Sequence, residues 1–278
     1  MTYSENEEHT FDHFLEKFQI LDNIIWDQQS IEDTIKQVCY DLARERIDYA
    51  EIKLSIDKYV RHTNWSDEET IELLTRCFRE ESEKWGIKVG LVLSLKYEAD
   101  RRRQKEIANL ILNPDIAMHF IGIDLVGNEE FYSTDFYTPI FKTWKSAGKG
   151  LIAHVGENQS VENIQTAIEK LNVDRIAHGI KIIEDQYVID LAKERKICFD
   201  IAITSNLYTG VVGKLEEHPV KQMLDKGLII TIGTDDPVIL NTTLNKEYDL
   251  LMRCTNIKTD NIMDIMENSC KYAFTKLL

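Results

Sequence analysis

Long hydrophobic runs are missing from this chain of 278 residues. No stretch of about 18 apolar residues occurs, so no segment reads as a bilayer-spanning helix. Proline and glycine are scarce, at 4 and 12 residues, which excludes collagen-like and linker-dominated architectures. The 5 cysteines are odd in number and widely spaced, with no CxxC pair. That pattern indicates neither a disulfide framework nor a thiolate zinc site, and a reducing cytoplasm is the expected compartment. Positive charge is in deficit: 33 Lys and Arg against 48 Asp and Glu leave a formal net charge of −15. Such an average field repels phosphate polymers and anionic bilayers, so neither nucleic acid nor membrane is an expected partner. The one local basic run, Arg101-Arg102-Arg103, sits among helix formers and reads as a solvated helix face. The first ten residues, MTYSENEEHT, are polar and acidic, which fits neither a signal nor a transit peptide.

What is present is ordinary in amount, 43% apolar and 29% charged, and informative in order. Short β-branched runs fall at 47–56, 87–95, 118–126, 150–155, 173–178, 196–204 and 228–234. Between them lie segments of helical spacing at 31–44, 66–84, 161–171 and 219–226. Trp65-Ser66 followed by three acids is a helix start. Pro219 in a first turn and Gly227 just past an end mark the last of these helices. Strand and helix in alternation imply parallel pairing with helical crossovers. Runs such as LVLSL and LIITI, apolar nearly throughout, suit strands covered on both faces. Seven strands fit a doubly wound open sheet, or a (β/α) barrel one strand short of eight. No internal boundary or low-complexity stretch is visible, so residues 1–278 read as one domain.

Polar groups collect where the strand runs end: Asp124, His154, His178, Thr204-Ser205-Asn206 and Asp235-Asp236. Any one of them alone has an ordinary structural explanation, since a lone histidine is commonly a hydrogen-bonded structural residue and a lone aspartate a helix cap. Five strand ends delivering polar groups is a pattern that a core does not need, and α/β barrels place their sites at the C-terminal rim. Imidazoles and carboxylates converging there suit metal-assisted hydrolysis. By type and place, His154 and Asp235 are candidate ligands. Glu157, three residues beyond His154, is a candidate general acid.

The motifs also resemble those of a known family. HVGE at 154–157, RIAHG at 175–179, AITSN at 202–206, TDDP at 234–237, GIDLVGNE at 122–129 and EEHP at 216–219 are similar, in order and spacing, to motifs of the adenosine/AMP deaminases. The resemblance covers nearly the whole chain and implies a TIM-type (β/α) barrel that uses Zn2+ to deaminate an adenine nucleoside or related purine. It implies that His154 and Asp235 ligate zinc and that Asp235 helps deprotonate water. It implies that Glu157 protonates purine N1, that His178 orients the attacking water, that Asp236 bonds N7 and that the backbone N–H of Gly127 reaches N3. His218 falls in a part of the pattern set away from the metal.

One family feature does not occur. The family opens with a strand ending in HxH that supplies two further zinc ligands, and none of the 7 histidines forms HxH. His9 and His13 have helical spacing and read as exposed residues at a helix start. The expected barrel is therefore incomplete, with seven strands and the first missing. An open sheet edge gives reason to expect association with a second copy or a partner chain. The alternative is a catalytically inactive relative that binds a purine or a protein.

Overall fold

The computed structural model describes residues 10, 13, 14, 16–18, 27–255, 257 and 259–275, with side chains omitted at 254 and 255. Seven strands alternate with helices: β1 (Tyr49–Leu54), β2 (Lys88–Lys96), β3 (Phe120–Val126), β4 (Gly150–Val155), β5 (Arg175–His178), β6 (Cys198–Ile201) and β7 (Ile229–Ile232). They follow one another in chain order. Among the described residues this is the repeat of a TIM-type (β/α) barrel, seven strands of the eight that close one. The chain divides into two compact units, residues 25–152 in one and residues 1–24 with 153–278 in the other.

In the unit of residues 25–152, β1 pairs parallel with β2, Tyr49 opposite Lys88 through Leu54 opposite Leu93. The β2–β3 ladder is parallel too, with a slip between Leu91 and Val92. The helices Gln28–Arg44 and Asp67–Trp85 pack together, burying Ile31, Ile35 and Cys39 on one and Ile71, Leu74, Cys77 and Phe78 on the other. Each starts in a capping box, Asp27 with Ser30 and Ser66 with Glu69, which satisfies N–H groups that a helix start leaves open. Lys53 of β1 lies 2.8 Å from the fully buried Asp124 of β3, an ion pair that neutralises a carboxylate held out of water. Arg102 faces solvent as expected, but Arg103 is drawn in by the carboxylates of Asp57 and Asp67.

In the other unit, β5, β6 and β7 form parallel ladders, with Arg175 opposite Cys198 and Asp200 opposite Thr231. Asp200 ties the three strands together. It accepts from Arg175 Nε at 3.1 Å and from Thr231 Oγ1 at 2.7 Å. Arg175 also donates to the Tyr272 carbonyl and stacks 4.4 Å over the Phe274 ring. Phe14, with Phe18 edge-on at 5.3 Å, packs against Ile239 and Leu240 of the short helix that follows the TDDP motif.

The expected elements form with shifted ends. The run at 47–56 stops at Leu54, and Ile56 opens a helix. The helix at 161–171 is α only to Thr166, then widens into a π turn ending at left-handed Asn172. The run at 196–204 is strand only to Ile201. Ile203–Tyr208 is a helix that places Thr204, Ser205 and Asn206 in its turns rather than on the strand. Among the described residues, no helix is long and apolar enough to cross a membrane.

Candidate functional site

The site lies within the unit formed by residues 1–24 and 153–278. β4 carries His154 at its penultimate position, and β5 ends at His178. Gly156 and Gly179 follow, both left-handed, at φ +68 and +62. A side chain on Gly156 would run into Ile164, and one on Gly179 would sit 2.7 Å from the Phe199 ring. Glycine at both places lets the two strand ends close up, and the imidazoles of His154 and His178 lie 5.3 Å apart, centroid to centroid. Beyond β7, Asp235 turns back with φ +53, a left-handed backbone shared by His178 at +61. Left-handed non-glycine residues cost energy and cluster at functional sites.

His154, His178 and Asp235 each offer one donor atom, and these atoms all lie within 4.8 Å of one another. Two imidazole nitrogens and a carboxylate oxygen are a donor set that suits zinc. Ser205 Oγ donates to Asp235 Oδ2 at 2.7 Å and turns the carboxylate. His178 is buried, with Nε2 3.8 Å from Glu157 Oε2 and 4.0 Å from Asp235 Oδ2. Glu157 Oε1 accepts from Asn206 Nδ2 at 3.3 Å and from Thr209 Oγ1 at 3.2 Å. Burial pushes the Glu157 carboxyl above the usual carboxylate range, and the negative charge of Asp235 adds to this, while the histidines oppose it.

The helix Ile203–Tyr208 is held from below by a residue that sequence reasoning passed over. Glu247 is fully buried and accepts from the Thr204 N–H at 3.1 Å and from Thr242 Oγ1 at 2.6 Å. Burial raises its carboxyl as well. Its signal in the sequence is slight, one acid among many in a helical segment.

His218, read as set away from the metal, lies two hydrogen bonds from His178. Its Nε2 is 3.2 Å from Asn206 Oδ1, and Asn206 Nδ2 is 3.2 Å from His178 Nδ1. Asp236 stands at the start of the short helix Pro237–Leu240. Gly127 follows β3 in the other unit, with φ +109 and the Glu98 carboxylate against the place a side chain would take. His13 is half-buried, 3.5 Å from Glu16, rather than exposed, and His9 lies outside the described residues.

A parallel (β/α) barrel with imidazoles, a carboxylate and a largely buried acid gathered at and just beyond its strand ends defines a class of candidate hydrolases. The family model described as adenosine deaminase matches residues 2–277, and the chain belongs to that family. An adenosine deaminase of Clostridium botulinum is 29% identical over 266 residues, covering 96% of this chain and 80% of that one. Two solved structures share the fold. An amidohydrolase from Burkholderia ambifaria with bound Zn has a TM-score of 0.85 at 22% identity, over 94% of this chain and 73% of that one. Arabidopsis ADAL complexed with IMP has a TM-score of 0.86 at 19% identity, over 98% of this chain and 81% of that one.

Proposed function

We propose that this protein hydrolyses the 6-amino group of an adenine nucleoside or nucleotide, releasing ammonia, with zinc as cofactor. The observation that carries the reading is the convergence of His154, His178, Asp235 and Glu157, brought together from two strand ends and two of the loops that follow strands. Family membership, and the purine and zinc named for its relatives, support it.

His154 and Asp235 would hold the ion, each by a donor type that zinc accepts. When bound, zinc supplies a Lewis acid that brings the pKa of water toward about 7. The chain's own groups do the rest. Glu157, its carboxyl raised by burial, is suited to hold a proton and offer it to purine N1. Protonation there makes C6 electrophilic. His178 faces Glu157 and Asp235, which supports a role in orienting the incoming water. Addition of water at C6 and departure of ammonia leave a 6-oxo purine. The resemblance assigns purine N7 to Asp236 and N3 to the backbone N–H of Gly127. The unbroken family match favours treating residues 1–278 as one domain, and the spacing of the cysteines favours a cytoplasmic setting.

The test is zinc per chain by elemental analysis, together with ultraviolet absorbance of adenosine, AMP, adenine and N6-methyl-AMP after zinc is supplied. Stoichiometric zinc with conversion of at least one of these to its 6-oxo product is expected. A well-folded protein that takes up no zinc and converts none of them overturns the reading. The absence of HxH favours a second reading, an inactive relative that binds a purine. Calorimetric binding of a purine without turnover would establish it.

A further inference from the structure

We propose that His218 and Asn206 act together as positioning residues that hold neutral His178 in the tautomer with its proton on Nε2. The chain of donors and acceptors has one fixed end. Pro219 has no N–H, so the first backbone donor after His218 is Val220, and His218 Nδ1 lies 3.1 Å from that N–H. A backbone N–H can only donate, so His218 Nδ1 accepts, and the neutral ring carries its proton on Nε2. Burial drives the His218 pKa down to about 4, which keeps the ring neutral at working pH.

His218 Nε2–H then points at Asn206, 3.2 Å away. Only the amide oxygen can accept there; the reversed amide would set donor against donor. Asn206 Nδ2 is left to donate to His178 Nδ1 at 3.2 Å and to Glu157 Oε1 at 3.3 Å, which uses both amide hydrogens. Asn206 is fully buried and His218 is 3% exposed, so water does not offer substitute partners. His178 Nδ1 is thereby an acceptor, and its proton sits on the Nε2 edge that faces Glu157 and Asp235.

The consequence separates two roles open to His178. A ring nitrogen that bears a proton has no lone pair for a cation, so ligation falls to His154 and Asp235, while His178 presents an N–H. The use made of that N–H, toward water at the reacting carbon, rests on the proposed deaminase reading. The tautomer is a property of the folded chain.

The test is therefore made on metal-free protein without substrate. Histidine is labelled with 15N, and long-range proton–nitrogen correlation at about pH 8.5 reports which ring nitrogen is protonated. The His178 signals are assigned from their loss in His178→Gln. Expected in the unsubstituted protein are a protonated Nε2 and a bare Nδ1 on both His178 and His218. Asn206→Asp, which can only accept, is expected to bring a proton onto His178 Nδ1. His218→Gln, which still offers an N–H toward Asn206, is expected to leave His178 as it was. A protonated His178 Nδ1 in the unsubstituted protein overturns the proposal. So does a His178 Nδ1 that stays bare in a folded Asn206→Asp. Failure of the deaminase reading would show instead as absent turnover with these tautomers intact.

Discussion

Ser205 Oγ and Asp235 Oδ2 meet at 2.7 Å, although the two residues are 30 positions apart. Ser205 is fully buried, and the carboxylate it orients belongs to the cation-sized cluster with His154 and His178. Partners of this kind fix a ligand's rotamer. Ser205→Ala is expected to weaken zinc binding by about 10- to 100-fold. Competition with a chelating dye reads the affinity. An unchanged affinity would show that the hydroxyl does not set the geometry of Asp235.

Glu157 and Asp235 are assigned different work, and paired substitutions separate them. Glu157→Gln is expected to lower kcat on adenosine by about 100-fold or more while zinc is retained. Asp235→Ala is expected to lose zinc. Equal loss of metal in both variants would place Glu157 among the ligands.

The buried His218 makes stability depend on acid. In the unfolded chain its pKa is about 6.5, and in the folded protein it is about 4. Between those values the unfolded chain binds more protons, so stability falls as pH drops through that window and is fully present above it. The full loss corresponds to about 3 kcal/mol. Urea denaturation from pH about 7 down to about 4 measures it. His218→Gln is expected to flatten that part of the curve.

Gly156→Ala combines a left-handed backbone with a methyl group directed into Ile164. The expected cost is about 2 to 4 kcal/mol, from backbone strain and overpacking together. A thermal melt beside Gly148→Ala isolates the overlap, because Gly148 is left-handed at φ +73 with open space around it.

The barrel class and the meeting of the candidate residues were legible because each strand run and its polar end are continuous in sequence. All seven runs overlap the observed strands, and His154, His178 and Asp235 meet as a cluster. What was not legible depends on partners far along the chain. Thr204 to Asn206 read as the end of a β-branched run. A buried carboxylate 43 residues later accepts the Thr204 N–H, and Ile203–Tyr208 is helical there. The place of His218 was missed for a similar reason. Its partner, Asn206, is 12 residues away, across a loop whose path no periodicity encodes. The halt of β1 at Leu54 escaped because Ile56 is as apolar as the strand before it.

His178 and Asp235 both hold backbone conformations that glycine adopts without penalty. Directed evolution for heat resistance alone would reward glycine at Asp235, which is partly exposed, trading a carboxylate for relief of tension, whereas at buried His178 the cavity and the unpaired Asn206 amide would outweigh that relief. In a saturation library, the hardiest clones at codon 235 are thus expected to be the least competent chemists.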